Sequence, residues 1–229
     1  ISMFPHRKNT TSEAHWIPLA DLMTGLMMMF MLIAVLYMLR INHAAEQYST
    51  ERNQLGKALC QEFSRDLHSW KAECDPTGLV IRFTSPEVLF DTGRADLKPR
   101  FIEILDDFFP RYLRLLNSKE FQSSIEEIRI EGHTSSHWTQ ESSEEQAYFL
   151  NMELSQARTR SVLQHVLMLS SPEQRQWLKS RLTANGLSSS HLIHDAKGHE
   201  DALASQRVEL RIRTNADQKI KEILDAAGQ

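Results

Sequence analysis

The chain has 229 residues and a formal charge of −4, with 30 acidic against 26 basic side chains, a balance that argues against nucleic acid as a direct partner. Its length and 41% hydrophobic content allow one or two domains with a modest core. The averages conceal an uneven layout, because the longest apolar run lies near the N-terminus.

From Ile17 to Leu39 the chain reads IPLADLMTGLMMMFMLIAVLYML, with Asp21 as its sole charged side chain. At about 1.5 Å rise per residue, a run of this length crosses a hydrocarbon layer of about 30 Å with some tilt. A signal peptide would be shorter and would lead into small residues at a cleavage site, whereas this run passes directly into Arg40, Ile41 and Asn42. His6, Arg7 and Lys8 precede it, and short basic flanks stay cytoplasmic. Residues 1–16 are therefore expected to be a cytoplasmic tail and 17–39 a transmembrane helix, with the chain outside the cytoplasm from about Arg40.

Residues 40–77 are expected to form a linker helix. Leu55, Leu59, Phe63, Leu67 and Trp70 recur at spacings of three and four and so share one face, suited to a second copy of the chain or to the folded domain. The two cysteines, Cys60 and Cys74, both fall on the exported side, where the compartment is oxidising. They could pair and close a small loop; two separate buried thiols is the other reading.

Asp75, Pro76, Thr77 and Gly78 break the helical pattern, and Leu79–Phe83 reads as a strand. Phe101, Ile104, Leu105, Phe108, Tyr112, Leu115 and Leu116 then follow at helical spacing. Ile125–Glu131 alternates as a half-buried strand does. A second helix runs from about Ser143 to Leu169, its apolar face carrying Leu150, Leu154, Ala157, Val162, Leu163 and Val166. Pro172 opens a further helix that passes Trp177 and Leu182 and ends near Gly186, and Val208–Thr214 is the last strand. The fold class expected is a single N-terminal transmembrane helix followed by an α+β domain over 78–214, a mixed sheet with helices on one face, and a tail over 215–229.

An ionisable residue inside an apolar span is expensive, and such residues line ion pathways or meet partners. Asp21 is thus a candidate proton carrier; a position at the membrane interface or an assembly contact are the competing readings. No enzyme signature is present. The histidines lack the spacing of a metal site, no glycine loop is built for phosphates, and no cofactor is expected beyond a translocated H+.

The stretch from Trp16 to Leu32 resembles the membrane helix of the flagellar stator B subunit, MotB, with Asp21, Met23, Thr24 and Phe30 at matching places. That resemblance implies proton carriage at Asp21 and a homodimer inside a ring of multi-span, MotA-like subunits. Three further motifs, IRIEGHT (Ile128–Thr134), Asn151 with Leu154, Ser155 and Arg158, and QRVELRI (Gln206–Ile212), resemble the OmpA C-terminal domain in order and spacing. They imply peptidoglycan binding by Thr134, Ser135, Asn151, Leu154 and Arg158, with the arginine facing a carboxylate of the peptide stem. Ser135 departs from the family, which has an aspartate there for the ammonium of diaminopimelate; Glu141, Glu144 and Glu145 are candidate replacements. Gln206 and about ten additional residues, HWTQESSEEQ, are further departures.

Together these resemblances imply a single-pass protein of the bacterial inner membrane, with a periplasmic C-terminal domain, acting as the B subunit of a proton-driven stator. An energy transducer of the ExbD or TolR kind and a passive peptidoglycan tether are the alternatives. The short segment between membrane and wall domain makes the chain similar to the B subunit of the Zorya anti-phage defence system, ZorB, with a ZorA-type partner. Residue chemistry alone does not separate defence from motility.

Overall fold

The computed structural model describes residues 16–215 together with Lys221. The expected tails, with His6, Arg7 and Lys8, lie outside the described residues except at their inner ends. The chain divides into two units, one up to Gln47 and one from Tyr48.

The first unit is helical. Helix α1 (Trp16–Phe63) begins within it and continues through Arg40, Ile41 and Asn42 without a break. Its segment Leu19–His43, 25 residues of mean hydropathy 2.3, is long and apolar enough to cross a membrane, and none of its most apolar stretch is buried. Met23, Met27, Phe30 and Leu36 all stand exposed on it. A helix apolar all round has no polar face to offer water and belongs in lipid or among other helices.

The second unit is an α+β layer structure. The last turns of α1 present Leu55, Leu59 and Phe63, four apart and fully buried. Arg111 secures that end, bonding Glu62 at 3.0 Å and Asp66 at 2.9 Å and lying 5.0 Å from the Phe63 ring. Here the expected linker helix over 40–77 is corrected. Helix stops at Phe63, a four-residue α2 (Leu67–Trp70) follows, and Lys71 in the left-handed region (φ 50°) turns the chain into strand β1 (Ala72–Asp75). β1 pairs antiparallel with β2 (Val80–Phe83), and the Asp75 carboxylate closes the turn by accepting from the Thr77 and Gly78 amides at 2.9 Å. The folded unit therefore starts well before residue 78. Ala-Glu-Cys-Asp carries little strand signal, so its state is set by the hairpin it closes.

After α3 (Pro86–Leu89), α4 (Pro99–Leu116) buries Phe101, Ile104, Leu105, Phe108 and Tyr112 as the helical spacing predicts. β3 (Ile125–His133) leads to α5 (Glu144–Leu169), whose start is fixed by a capping box between Ser143 and Gln146. α6 (Pro172–Lys179) is shorter than expected. Residues Leu182–Gly186 leave the helix and form β4, which runs parallel to β3 from Ile128↔Leu182 to Gly132↔Gly186. α7 (Ala202–Ser205) and β5 (Arg207–Thr214) follow, and the sheet order is β1-β2-β5-β3-β4.

One face of that sheet, with Ile81, Phe83, Ile128, Ile130, Leu210 and Ile212, packs on α4, α5 and the end of α1 around an aromatic cluster of Phe63, Trp70, Phe83, Phe101, Phe108 and Tyr112. Each such side chain contributes about 1.5–3 kcal/mol on burial. Cys60 of α1 and Cys74 of β1 form a disulfide with Cα atoms 5.5 Å apart, joining helix to sheet.

Candidate functional site

A groove of about 420 Å³ opens where β3 ends and α5 begins, lined by Thr134, Ser135, Asn151, Leu154 and Arg158 among others. All five residues that sequence singled out in this domain therefore lie together. The packing beneath explains how. Gly132 on β3 and Gly186 on β4 are neighbours in the parallel ladder, and α5 crosses directly over them. A Cβ on Gly132 would stand 2.7 Å from Thr159 Cγ2 and 2.9 Å from the Ser155 carbonyl, and one on Gly186 would run into the backbone of Gln156. Without side chains at these two positions, α5 settles close to the sheet and its N-terminal half overhangs the strand end.

The face that α5 turns inward is polar over this half. Asn151, Ser155, Arg158 and Thr159 are buried there, while Leu150 and Ala157, expected on the apolar face, point outward. The buried polar groups find backbone partners. Asn151 Nδ2 donates to the carbonyls of Ser135 at 3.1 Å and His137 at 3.2 Å, fixing the chain that leaves β3. The Ser188 amide donates to Ser155 Oγ at 3.1 Å, and the Thr134 amide to the Ser188 carbonyl at 2.9 Å. Ser188 holds a left-handed φ of 51° to do so, a conformation costing about 1 kcal/mol or more in a residue with a Cβ.

Arg158 forms the floor. It is 8% exposed, its Nε donates to the Arg94 carbonyl at 2.9 Å and its Nη2 to the Asp91 carbonyl at 3.3 Å, and its guanidinium lies 4.8 Å from the Phe90 ring centroid. Burial pulls its pKa down to about 10, still charged at neutral pH. Among the described residues it has no carboxylate partner, so a fixed guanidinium stands at the groove floor with its charge uncompensated by a neighbouring acid.

An acid beside Ser136, the residue after Ser135, is one the sequence did not suggest. Glu200, far along the chain, accepts from the Ser136 amide at 2.9 Å and from Ser136 Oγ, and lies 3.9 Å from His137 Nε2. Glu141, Glu144 and Glu145 are exposed, and the latter two line a separate concavity with Tyr148 and Phe149. Spacing along the chain gave no hint of Glu200, because it meets Ser136 only through the fold, 64 positions further along the sequence. Trp138, on the additional loop, also lines the groove, and Gln206 faces it from the start of β5.

Asp21 belongs to the other unit. It is exposed on α1, one turn from Thr24, whose hydroxyl donates to the Ala20 carbonyl at 2.7 Å. His133, at the end of β3, is buried and joins Glu131 and Glu209 in a cluster that only cross-strand pairing reveals.

No family model matches the chain. It is 45% identical over 225 residues to the Zorya protein ZorB of Escherichia coli, covering 95% of each chain. It is 28% identical over 223 residues to the Zorya protein ZorB of a second strain, Escherichia coli O139:H28, covering 90% of this chain and 83% of that one. Among solved structures, a MotB like protein from Desulfovibrio vulgaris superposes with a TM-score of 0.49 at 21% identity, over 74% of this chain and 94% of that one. The extent and identity of the first match show that the chain belongs to the ZorB family of Zorya proteins.

Proposed function

We propose that this protein is the B subunit of a proton-driven stator of the inner membrane, anchored to peptidoglycan and serving anti-phage defence together with an A-type, multi-span partner. The observation that carries the anchoring role is Arg158, a buried guanidinium at the floor of an open groove with no carboxylate of its own among the described residues. A stem-peptide carboxylate completes that environment through a fork of two N–H donors. Asn151 and Thr134 shape the groove, Leu154 lines its wall, and Glu200, held on Ser136, takes the amine that Ser135 cannot. The domain's role is to bind, not to catalyse.

Asp21 is the proton carrier in this reading. The exposed apolar surface around it is covered by partner helices of the A-type ring and by a second copy of the chain, with the N-terminus cytoplasmic and the groove domain periplasmic. One charge moving down about 100 mV is worth about 2.3 kcal/mol, so several protons in turn can drive a conformational step that an anchored domain resists.

The test pairs two variants in cells that also express the A-type partner. Asp21→Asn keeps size and removes titration: the expected outcome is an intact complex that still pellets with sacculi but has lost proton flux and phage protection. Arg158→Met is expected to lose sacculus binding. If Asp21→Asn keeps flux and protection, Asp21 is a packing residue and a passive tether becomes the better account.

A further inference from the structure

The sheet face turned away from the helices carries a second arrangement of charge. The register sets Arg82 of β2 opposite Glu209 of β5, Glu209 opposite Glu131 of β3, and Arg211 opposite Arg129. Like charges directly opposite on neighbouring strands repel. They are tolerated because opposite charges bridge across and along the strands: Arg211 reaches Glu131 at 2.9 Å and Glu209 at 2.7 Å, while Arg82 and Arg207 reach Glu209 at 2.8 and 2.7 Å. Glu209, only 1% exposed, is thus held by three guanidiniums.

Four arginines, Arg82, Arg129, Arg207 and Arg211, line a concavity of about 510 Å³ with two acids, Glu131 and Glu209. Two further acids outside the lining, Glu73 and Glu127, bridge Arg82 at 3.6 Å and Arg129 at 2.9 Å, so the lining itself is richer in guanidiniums than in carboxylates. His133 lines the same concavity beside Arg207; it is 4% exposed, and neither ring nitrogen has a partner among the described residues. Buried polar groups are ordinarily paired, so an orphaned imidazole against an open concavity points to a ligand. Glu131, His133 and Glu209 bring candidate ligand atoms within 4.8 Å of one another, the arrangement of a cation site. A cation there would sit among four guanidiniums and compete with the bridges that hold both carboxylates, so the field favours an anion.

We propose that this concavity binds a phosphate-type dianion, gripped by Arg82, Arg129 and Arg211 and met from below by a ring nitrogen of His133. Three partly exposed guanidiniums from three strands suit a tetrahedral group with several acceptor oxygens better than a planar carboxylate. The site shares no residue with the groove around Arg158.

The test uses the full chain in detergent micelles, with inorganic phosphate as probe and ionic strength held constant with potassium chloride. Phosphate is expected to raise the unfolding temperature saturably, and acetate is not. Arg129→Gln leaves Glu127 bonded to Thr183 and Arg213, and Arg82→Gln leaves Glu209 held by Arg207 and Arg211, so Glu127 and Glu209 keep other partners in the variants. Each should weaken the phosphate response at least tenfold while sacculus binding persists. Glucose 1-phosphate acting as well as inorganic phosphate would identify a phosphoryl group carried on a larger molecule, and a response to inorganic phosphate alone would identify the free ion; both support the proposal. An absent response, an equal response to acetate, variants that behave as the parent, or stabilisation by Zn2+ that depends on His133 would overturn it.

Discussion

Replacing Arg158 by methionine separates recognition from stability, because the two respond differently. Holding this guanidinium in a buried site disfavours its charged form, and a pKa pulled down to about 10 corresponds to about 3 kcal/mol. The variant removes that penalty. It also forfeits the hydrogen bonds to Asp91 and Arg94 and the Phe90 contact, together worth about the same. Methionine fills most of the vacated volume. Chemical denaturation should therefore find the variant within about 1.5 kcal/mol of the parent, since near-equal contributions cancel. Binding has no such compensation. A ligand carboxylate that loses its charged partner in a buried site weakens by about 2–5 kcal/mol, or from about 30-fold to more than 1,000-fold. Sedimentation with purified sacculi, read as the concentration giving half-maximal binding, measures it. A variant that unfolds easily and binds poorly would show that Arg158 is structural. A variant that is stable and still binds within about threefold would show that the groove is not the anchor.

Acid should destabilise the domain in two overlapping steps. Burial, followed by the Arg207 charge, pulls the His133 pKa down to about 3, so the unfolded chain takes up a proton that the folded one refuses and stability falls from about pH 6.5 towards 3. Burial alone would raise Glu209, but the hydrogen bonds and charges of Arg82 and Arg207 outweigh it and bring it to about 2, so its stabilisation is present above about pH 4.5 and is lost as pH falls towards 2. His133→Gln should flatten the first step and leave the second, as followed by denaturation midpoints across pH. Gly132→Ala should cost about 1–3 kcal/mol by forcing α5 away from β3, and weaken sacculus binding with it; unaltered binding would mean the helix need not lie so close. Cys60→Ser with Cys74→Ser should lower stability by about 3 kcal/mol, as a loop of 14 residues predicts, and reduction of the parent should match it in a thermal melt.

What the sequence disclosed followed from strong periodicity. Phe101 to Leu116 and Leu55 to Phe63 read correctly because apolar residues recur at helical spacing and end in the core. The inward face of α5 did not, because Asn151, Ser155, Arg158 and Thr159 are polar while Leu150 and Ala157 face outward. A helix that builds a binding site inverts the usual pattern along part of its length, and motif resemblance found those residues where periodicity pointed elsewhere. β1 and β4 were illegible for another reason: each is short and weak in strand formers, and each is a strand only because a neighbour offers it a ladder. Glu200 and the cluster around Glu209 depend on long-range pairing, to which local spacing is blind.

The bond between Cys60 and Cys74 also governs how this domain bears tension. The last turns of α1 are held by side-chain packing, by the bonds of Arg111 to Glu62, and by this one covalent link, which ties the helix to the edge strand β1, itself paired with β2 over four residues. A pull on the helix is therefore shared with β1 and through it with β2, so the helix cannot peel away as a separate piece. Rupture under load therefore requires the edge ladder between β1 and β2 to open together with the helix, so the two elements yield as one fastening.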